Sequence, residues 1–199
     1  RMTVLADEVD LMTNDRYPKT VWANDMVDSL NLIARALRNA LLVNQAETAK
    51  ELARVADARK VIEDRMSKLD QSIHTEAGKE QMAKVKAARA AYVPLQDKFV
   101  ELIQSDLEDE AKVLMLTKLR AAQADYLKAI TELIAFQSKL MTDAGKDATA
   151  SYQSARLLMI ASSLIALVVT LLFALWITRS ITRPLAQASA TASALAGGD

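Results

Sequence analysis

The 199-residue chain carries 25 Lys and Arg against 25 Asp and Glu, with four glycines, three prolines and no cysteine. Zero net charge excludes the basic footprint of a general nucleic-acid binder, and the lack of thiols excludes a disulfide framework and any cysteine metal site. Few breakers amid abundant Ala, Leu, Lys, Glu, Gln and Arg describe long helices, not sheets.

The opening RMTVLADEVD has no charged n-region, apolar h-region or cleavage site and is not a signal peptide. A first membrane anchor upstream of it is therefore expected. A first helix is predicted over 3–46, with apolar residues at 26, 30, 33, 37 and 41 at the spacing of a buried stripe. Thr48 and Glu51 form one capping-box pattern and Ser105 and Glu108 another, a hydroxyl followed three residues later by a carboxylate. They mark the starts of a second helix at 49–74 and a fourth from 106. The turn around His74–Gly78 separates the second from a third helix at 76–104. Pro18 and Pro94 each remove an amide donor and are expected to kink the first and third helices. Short connections between long helices make neighbours antiparallel, so residues 1–155 are predicted to form one all-α, up-down-up-down four-helix bundle. Leu30, Ile33, Leu41 and Leu42 put apolar residues on more than one face of the first helix, which suggests that it also packs against a second copy. Gly145 weakens the fourth helix but does not end it, so that helix is expected to run on into the next segment.

From Leu157 to Thr178 the chain has 22 residues without a charge. At about 1.5 Å per helical residue this reaches roughly 33 Å, the thickness of a bilayer's hydrocarbon core. Residues 156–178 are thus predicted to be a transmembrane helix. Arg179 and Arg183 follow the span, Trp176 stands at that interface and Tyr152 just before the other. Positive charge on the cytoplasmic side places 1–155 outside the cytoplasm.

After the span, Arg179-Ser-Ile-Thr-Arg-Pro184-Leu185, an Ala-rich amphipathic stretch and Gly197-Gly198-Asp199 resemble the start of a HAMP domain, assigned here to 179–199. Upstream, NDRYPKTVWANDMVDSLNLIARALRNALLV resembles the first helix of the sensor bundles of methyl-accepting chemotaxis proteins. Together the two resemblances imply a bacterial chemoreceptor in the inner membrane, with its sensor bundle in the periplasm, working as a homodimer.

Catalysis has little to stand on. No glycine-rich phosphate loop is present, His74 is the one histidine, and the scattered methionines are adequately explained as core filling. The reading is a protein that is not an enzyme, with no cofactor and no metal. Charge patterning is more telling. Acids are missing from 29–46, which holds Arg35 and Arg38, from 81–96, which holds Lys84, Lys86 and Arg89, and from 111–124, which holds Lys112, Lys118 and Arg120. Counting from the distal turns at about 1.5 Å per residue, Arg35, Arg38, Arg89, Tyr92, Thr117 and Arg120 fall at a common depth of roughly 12–22 Å. Arg59 reaches that level too, with Asp57, Glu63 and Asp64 nearby to neutralise it. Arginine's planar fork binds carboxylates at two points, and a desolvated cluster of cations needs an anion. A heptad continued from Val113 turns Thr117, Arg120, Ala124, Leu127 and Thr131 inward, and a phase through Leu116, Leu119, Gln123 and Tyr126 fits almost as well.

The chemoreceptor resemblance implies a ligand held near the distal end by arginines of the first helix, matched by Arg35 and Arg38, and polar residues of the fourth, matched by Thr117. A small organic acid, such as a C4-dicarboxylate or citrate, suits the cations. Rival readings are the input domain of a sensor histidine kinase or cyclic-nucleotide enzyme, and a membrane bundle that binds a protein partner.

Overall fold

The computed structural model describes residues 6–7 and 9–197, and among these every regular element is helical. A π-helical turn, Leu11–Arg16, leads into α1 (Tyr17–Ala40). Then come α2 (Gln45–Ser72), α3 (Glu76–Gln104) and α4 (Glu108–Leu114). A second π turn, Met115–Leu119, joins α4 to α5 (Arg120–Ile177), and a third, Thr178–Thr182, precedes α6 (Arg183–Ala196). Two compact units result, one ending at Ala148 and one running from Thr149.

In the first unit four helical rods pack antiparallel, the fourth being α4, its π turn and the first part of α5. Partners between α2 and α3 run in opposite order along the chain: Asp70 pairs with Lys86 and Arg59 with Asp97. Arg65 of α2 reaches Asp25 of α1 at 2.7 Å. The core follows from the stripes: Met26, Leu30, Ile33 and Leu37 of α1 meet Val55, Ile62 and Leu69 of α2, Met82, Val85 and Phe99 of α3, and Leu119, Ile130 and Leu133 of the fourth rod. Leu30 and Ile33 are thereby used up inside the bundle, and of the four apolar residues expected to serve a dimer only Leu42 is exposed.

Helix starts differ from the capping-box expectation. The N-cap of α2 is Asn44, whose side chain accepts from the Glu47 amide at 3.1 Å. Thr48 lies one turn inside, its hydroxyl donating to the Asn44 carbonyl at 3.1 Å. Ser105 is the C-cap of α3, and Leu107 stands at the N-cap of α4 without a side-chain cap. Between them Asp106 takes φ 57°, a left-handed turn that an aspartate tolerates and that consumes the residues expected to form the box. Thr75 does cap α3, accepting from the Gly78 amide at 3.2 Å. Pro94 lies inside α3 without ending it, and Pro18 stands just after the π turn Leu11–Arg16, within a run that is helical on both sides of it. The first helix ends at Ala40, earlier than predicted, and its predicted start at residues 3–5 lies outside the described residues.

The second unit is helical through the apolar stretch. The helix has the length and composition to cross a membrane, and none of its most apolar window is buried. Its threonine and serine hydroxyls return to backbone carbonyls one turn back, as Thr170 does to Ala166 at 2.8 Å, so a polar group in that stretch needs no external partner. Phe173 and Trp176, one turn apart, bring their ring centroids to 5.7 Å with the planes tilted at 51°. The π turn at Thr178–Thr182 and α6 cover the segment that resembles HAMP, with Gly198 and Asp199 outside the described residues.

Candidate functional site

Two concave places in the bundle divide five of the six sequence-predicted residues between them, and Thr117 lines neither. The first is a groove of 360 Å³ between α1 and the fourth rod. Arg35 and Arg38 come to it from α1, and Arg120 from the first turn of α5. Asn31 and Gln123 add amides, while Leu37 and Leu119 form part of an apolar floor. Spacing explains the α1 side: Arg35 and Arg38 are three apart, hence on one face, flanking the buried Ala36 and Leu37.

The π turn sets the face of the fourth rod. Ala111, Met115 and Leu119 are buried at spacing four, and Tyr126, Ile130, Leu133 and Gln137 continue the stripe. Thus the phase from Val113 is not the core phase: Val113, Thr117 and Thr131 are exposed, while Arg120, Ala124 and Leu127 face the groove. Of the alternative phase, Leu119 and Tyr126 are buried and Leu116 is exposed. Thr117 lines neither concavity, and its hydroxyl donates to the Val113 carbonyl at 2.7 Å.

Electrostatically the groove is unbalanced. Among the described residues neither Arg35, Arg38 nor Arg120 has an ion-pair partner, whereas twelve other pairs do form. Arg38 spends one donor on the Ala34 carbonyl, Nε to O at 3.1 Å, which leaves the rest of its fork free. All three side chains are exposed, so water satisfies them at rest, and an arriving anion need only displace that water.

Arg89 and Tyr92 go elsewhere. They line a 170 Å³ cleft between α2 and α3, together with Arg59, Gln96 and, from the fourth rod, Tyr126. Ile33 of α1 lines the same cleft. The common depth expected from counting is therefore kept, since Ile33 and Tyr126 line the cleft while Arg35 and Leu127 line the groove. What counting along each helix cannot supply is the direction around it.

Inside the cleft Arg59 donates from Nε to Gln96 Oε1 at 3.1 Å and from Nη2 to Asp97 Oδ1 at 2.5 Å. Asp97, on the facing helix, is its neutraliser, while Asp57 pairs with Lys60 instead. The Tyr92 and Tyr126 rings lie 5.9 Å apart at 41°. Burial pushes both phenols up, Tyr126 to about 12 against a smaller lowering by Arg89, and Tyr92 further still. The Tyr126 hydroxyl contacts the sulfur of Met66 at 3.7 Å. The Tyr92 hydroxyl and Gln96 Nε2 are buried with no protein partner, a state that costs about 1–3 kcal/mol per group when nothing else supplies a bond.

Gln96 was not named from the sequence, and Tyr126 only as a member of the alternative phase of the fourth helix. A signal existed for Gln96: it is the polar member of a stripe, Met82, Val85, Tyr92, Gln96, Phe99 and Ile103, that is otherwise apolar or aromatic. Among the described residues no group of three or more His, Asp or Glu stands where it could hold a metal ion.

No curated protein matches the chain. A family model described as a four helix bundle sensory module for signal transduction matches residues 1–152. With that match spanning most of the chain, and the bundle and the apolar helix both in place, the protein belongs to the four-helix-bundle sensory modules of chemoreceptor signalling.

Proposed function

We propose that this sensory module binds a small organic acid, a di- or tricarboxylate such as a C4-dicarboxylate or citrate, in the groove between α1 and the fourth rod. The observation that carries the reading is the convergence of Arg35, Arg38 and Arg120, none with an ion-pair partner among the described residues, on one 360 Å³ groove. Two or three guanidinium forks can each take a carboxylate bidentately, and their fixed geometry favours polyacids over monoacids. A second copy packed along α1 would close the open side of the groove, so a homodimer belongs to the proposal.

Residues 1–155 then lie in the periplasm, with Arg179 and Arg183 holding the cytoplasmic end of the span in the inner membrane. Closure of the groove around an acid draws α1 and the fourth rod together. The response is a displacement of about 1–2 Å between those helices, the scale of known interface helix shifts. The segment from Arg179 onward, read as the start of HAMP, receives it.

Thermal-shift and calorimetric titration of the whole chain in lipid nanodiscs with succinate, malate, fumarate and citrate tests this. At least one acid should bind the wild type and fail to bind Arg35→Ala with Arg120→Ala. Equal binding by the double variant, with helix content unchanged, would remove the groove as the site.

A further inference from the structure

The cleft between α2 and α3 has its own chemistry, independent of the groove. Its polar atoms are an incomplete set. Arg59 can only donate, so the Gln96 oxygen must face it, at 3.1 Å, and the amide nitrogen Nε2 is left turned away without a partner. The Tyr92 hydroxyl is likewise unpartnered, and both residues are 1% exposed. Arg89, half-buried in the same cleft, has no ion pair among the described residues. Three groups able to donate thus border one space, and among the described residues Glu63 is the carboxylate that lines it.

Ile33, Ile62 and Val93 supply the apolar remainder of the lining. At 170 Å³ the space is close to the roughly 150 Å³ cavity that takes a benzene molecule, so a body of about six heavy atoms fits. An occupant must therefore accept hydrogen bonds at one end and be apolar at the other. A second anionic group would meet Glu63, a like charge.

We propose that the α2–α3 cleft is a second binding site, contained within one copy of the chain, for a small monocarboxylate held by the Tyr92 hydroxyl, Gln96 Nε2 and the Arg89 guanidinium. It differs from the groove in each respect that can be measured. Donors come from α3 instead of α1 and α5, two of the three are buried, and one anionic group is accepted instead of two or three. An occupant there bridges α3 to the Tyr126 side of the fourth rod, because Tyr92 and Tyr126 are in ring contact at 5.9 Å.

The chain has four tyrosines, so 3-fluorotyrosine labelling gives four fluorine resonances, two of them from the cleft. The whole labelled chain in lipid nanodiscs is titrated with acetate, propionate, butyrate and benzoate, with butyramide as the uncharged control and succinate as the dianion. The expected result is a saturable shift of the Tyr92 and Tyr126 resonances by at least one monocarboxylate, with butyramide and succinate much weaker. Removing one donor to the carboxylate, by Tyr92→Phe or Gln96→Leu, should weaken binding about ten- to hundredfold. Arg38→Ala should leave it within about twofold, since its contacts lie in the groove. Arg89→Ala, at a half-buried position, keeps the test decisive if either core variant fails to fold. No saturable shift with any monocarboxylate would mean that the cleft holds water alone and would overturn the proposal. So would binding indifferent to Tyr92→Phe and Arg89→Ala, preference for succinate, or loss of binding in Arg38→Ala, which would return the ligand to the groove.

Discussion

Arg59 holds the side-chain oxygen of Gln96 at 3.1 Å across the α2–α3 interface, and the same guanidinium reaches Asp97 one residue on. One cation thereby orients a buried amide and neutralises an exposed acid. Replacing Arg59 with alanine frees the Gln96 amide to flip and leaves its oxygen without a donor. A loss of about 1–3 kcal/mol in stability is expected, because a buried acceptor is orphaned, against under about 1 kcal/mol for Asp97→Ala at the solvent side of the same interaction. Chemical denaturation of both variants in one detergent separates the two effects.

The groove should respond to charge and to fork geometry. Arg35→Ala or Arg38→Ala would leave a bound carboxylate without its partner, at about 2–5 kcal/mol. That is roughly 30-fold to several-thousand-fold in affinity. Lysine at the same position should recover only part of it, since a point charge cannot reproduce a two-point contact. Folding should be unharmed, because both side chains are exposed and neither makes an ion pair among the described residues. Calorimetry with the best-binding acid checks the ratio of alanine to lysine variants.

Helix starts offer a test of which residue caps α2. Asn44→Ala removes the bond to the Glu47 amide and should cost about 0.5–2 kcal/mol. Thr48→Ala should cost less, because its hydroxyl only returns to carbonyls of the chain. Equal losses would restore Thr48 as the cap.

Gly78 is close-packed at the α2–α3 turn. A Cβ there would stand 2.6 Å from Ile73 Cγ2 and 2.8 Å from Thr75 Oγ1, and the latter is the cap of α3. Gly78→Ala should therefore destabilise by about 1–3 kcal/mol through overpacking, despite alanine's better helix propensity. A rise in melting temperature would show that the turn yields.

Stability should respond to pH at both ends of the scale. Asp64 is held below the ordinary 3.8, first by its hydrogen bond to Lys68, and Glu76 below 4.5 by Lys79. Lowered folded values mean that these two contribute above the ordinary carboxylate range, and that the contribution is lost as pH falls through their lowered values. Tyr92 and Tyr126 are raised above 10.0 by burial, so theirs is complete below that pH and is lost as pH climbs toward the raised values. Melting curves should show alkaline loss beginning past pH 10.0, and Tyr92→Phe should blunt it. An unchanged alkaline limb in that variant would contradict the burial of the phenol.

Much of the protein was decided locally. An uncharged 22-residue run, few breakers and apolar residues at helical spacing are properties of consecutive residues, so the all-α class, the third helix and the apolar span were legible without any tertiary information. Even the shared depth of the cations was legible, because rise per residue along a helix is constant. Direction around each rod was not. A π turn at Met115–Leu119 rephases the fourth rod, sending Arg120 to the groove and leaving Thr117 outside it. Packing of α2 against α3 turns Arg89 and Tyr92 into a different concavity from Arg35 and Arg38. Caps were misplaced by a few residues for a related reason: a hydroxyl and a carboxylate three apart match a pattern that recurs by chance, and which residue stands at the cap, Asn44 for α2 and Leu107 for α4, depends on where the chain must turn to bring the next helix into contact. Rise is a property of the backbone, whereas the facing direction of a side chain is settled only by its neighbours.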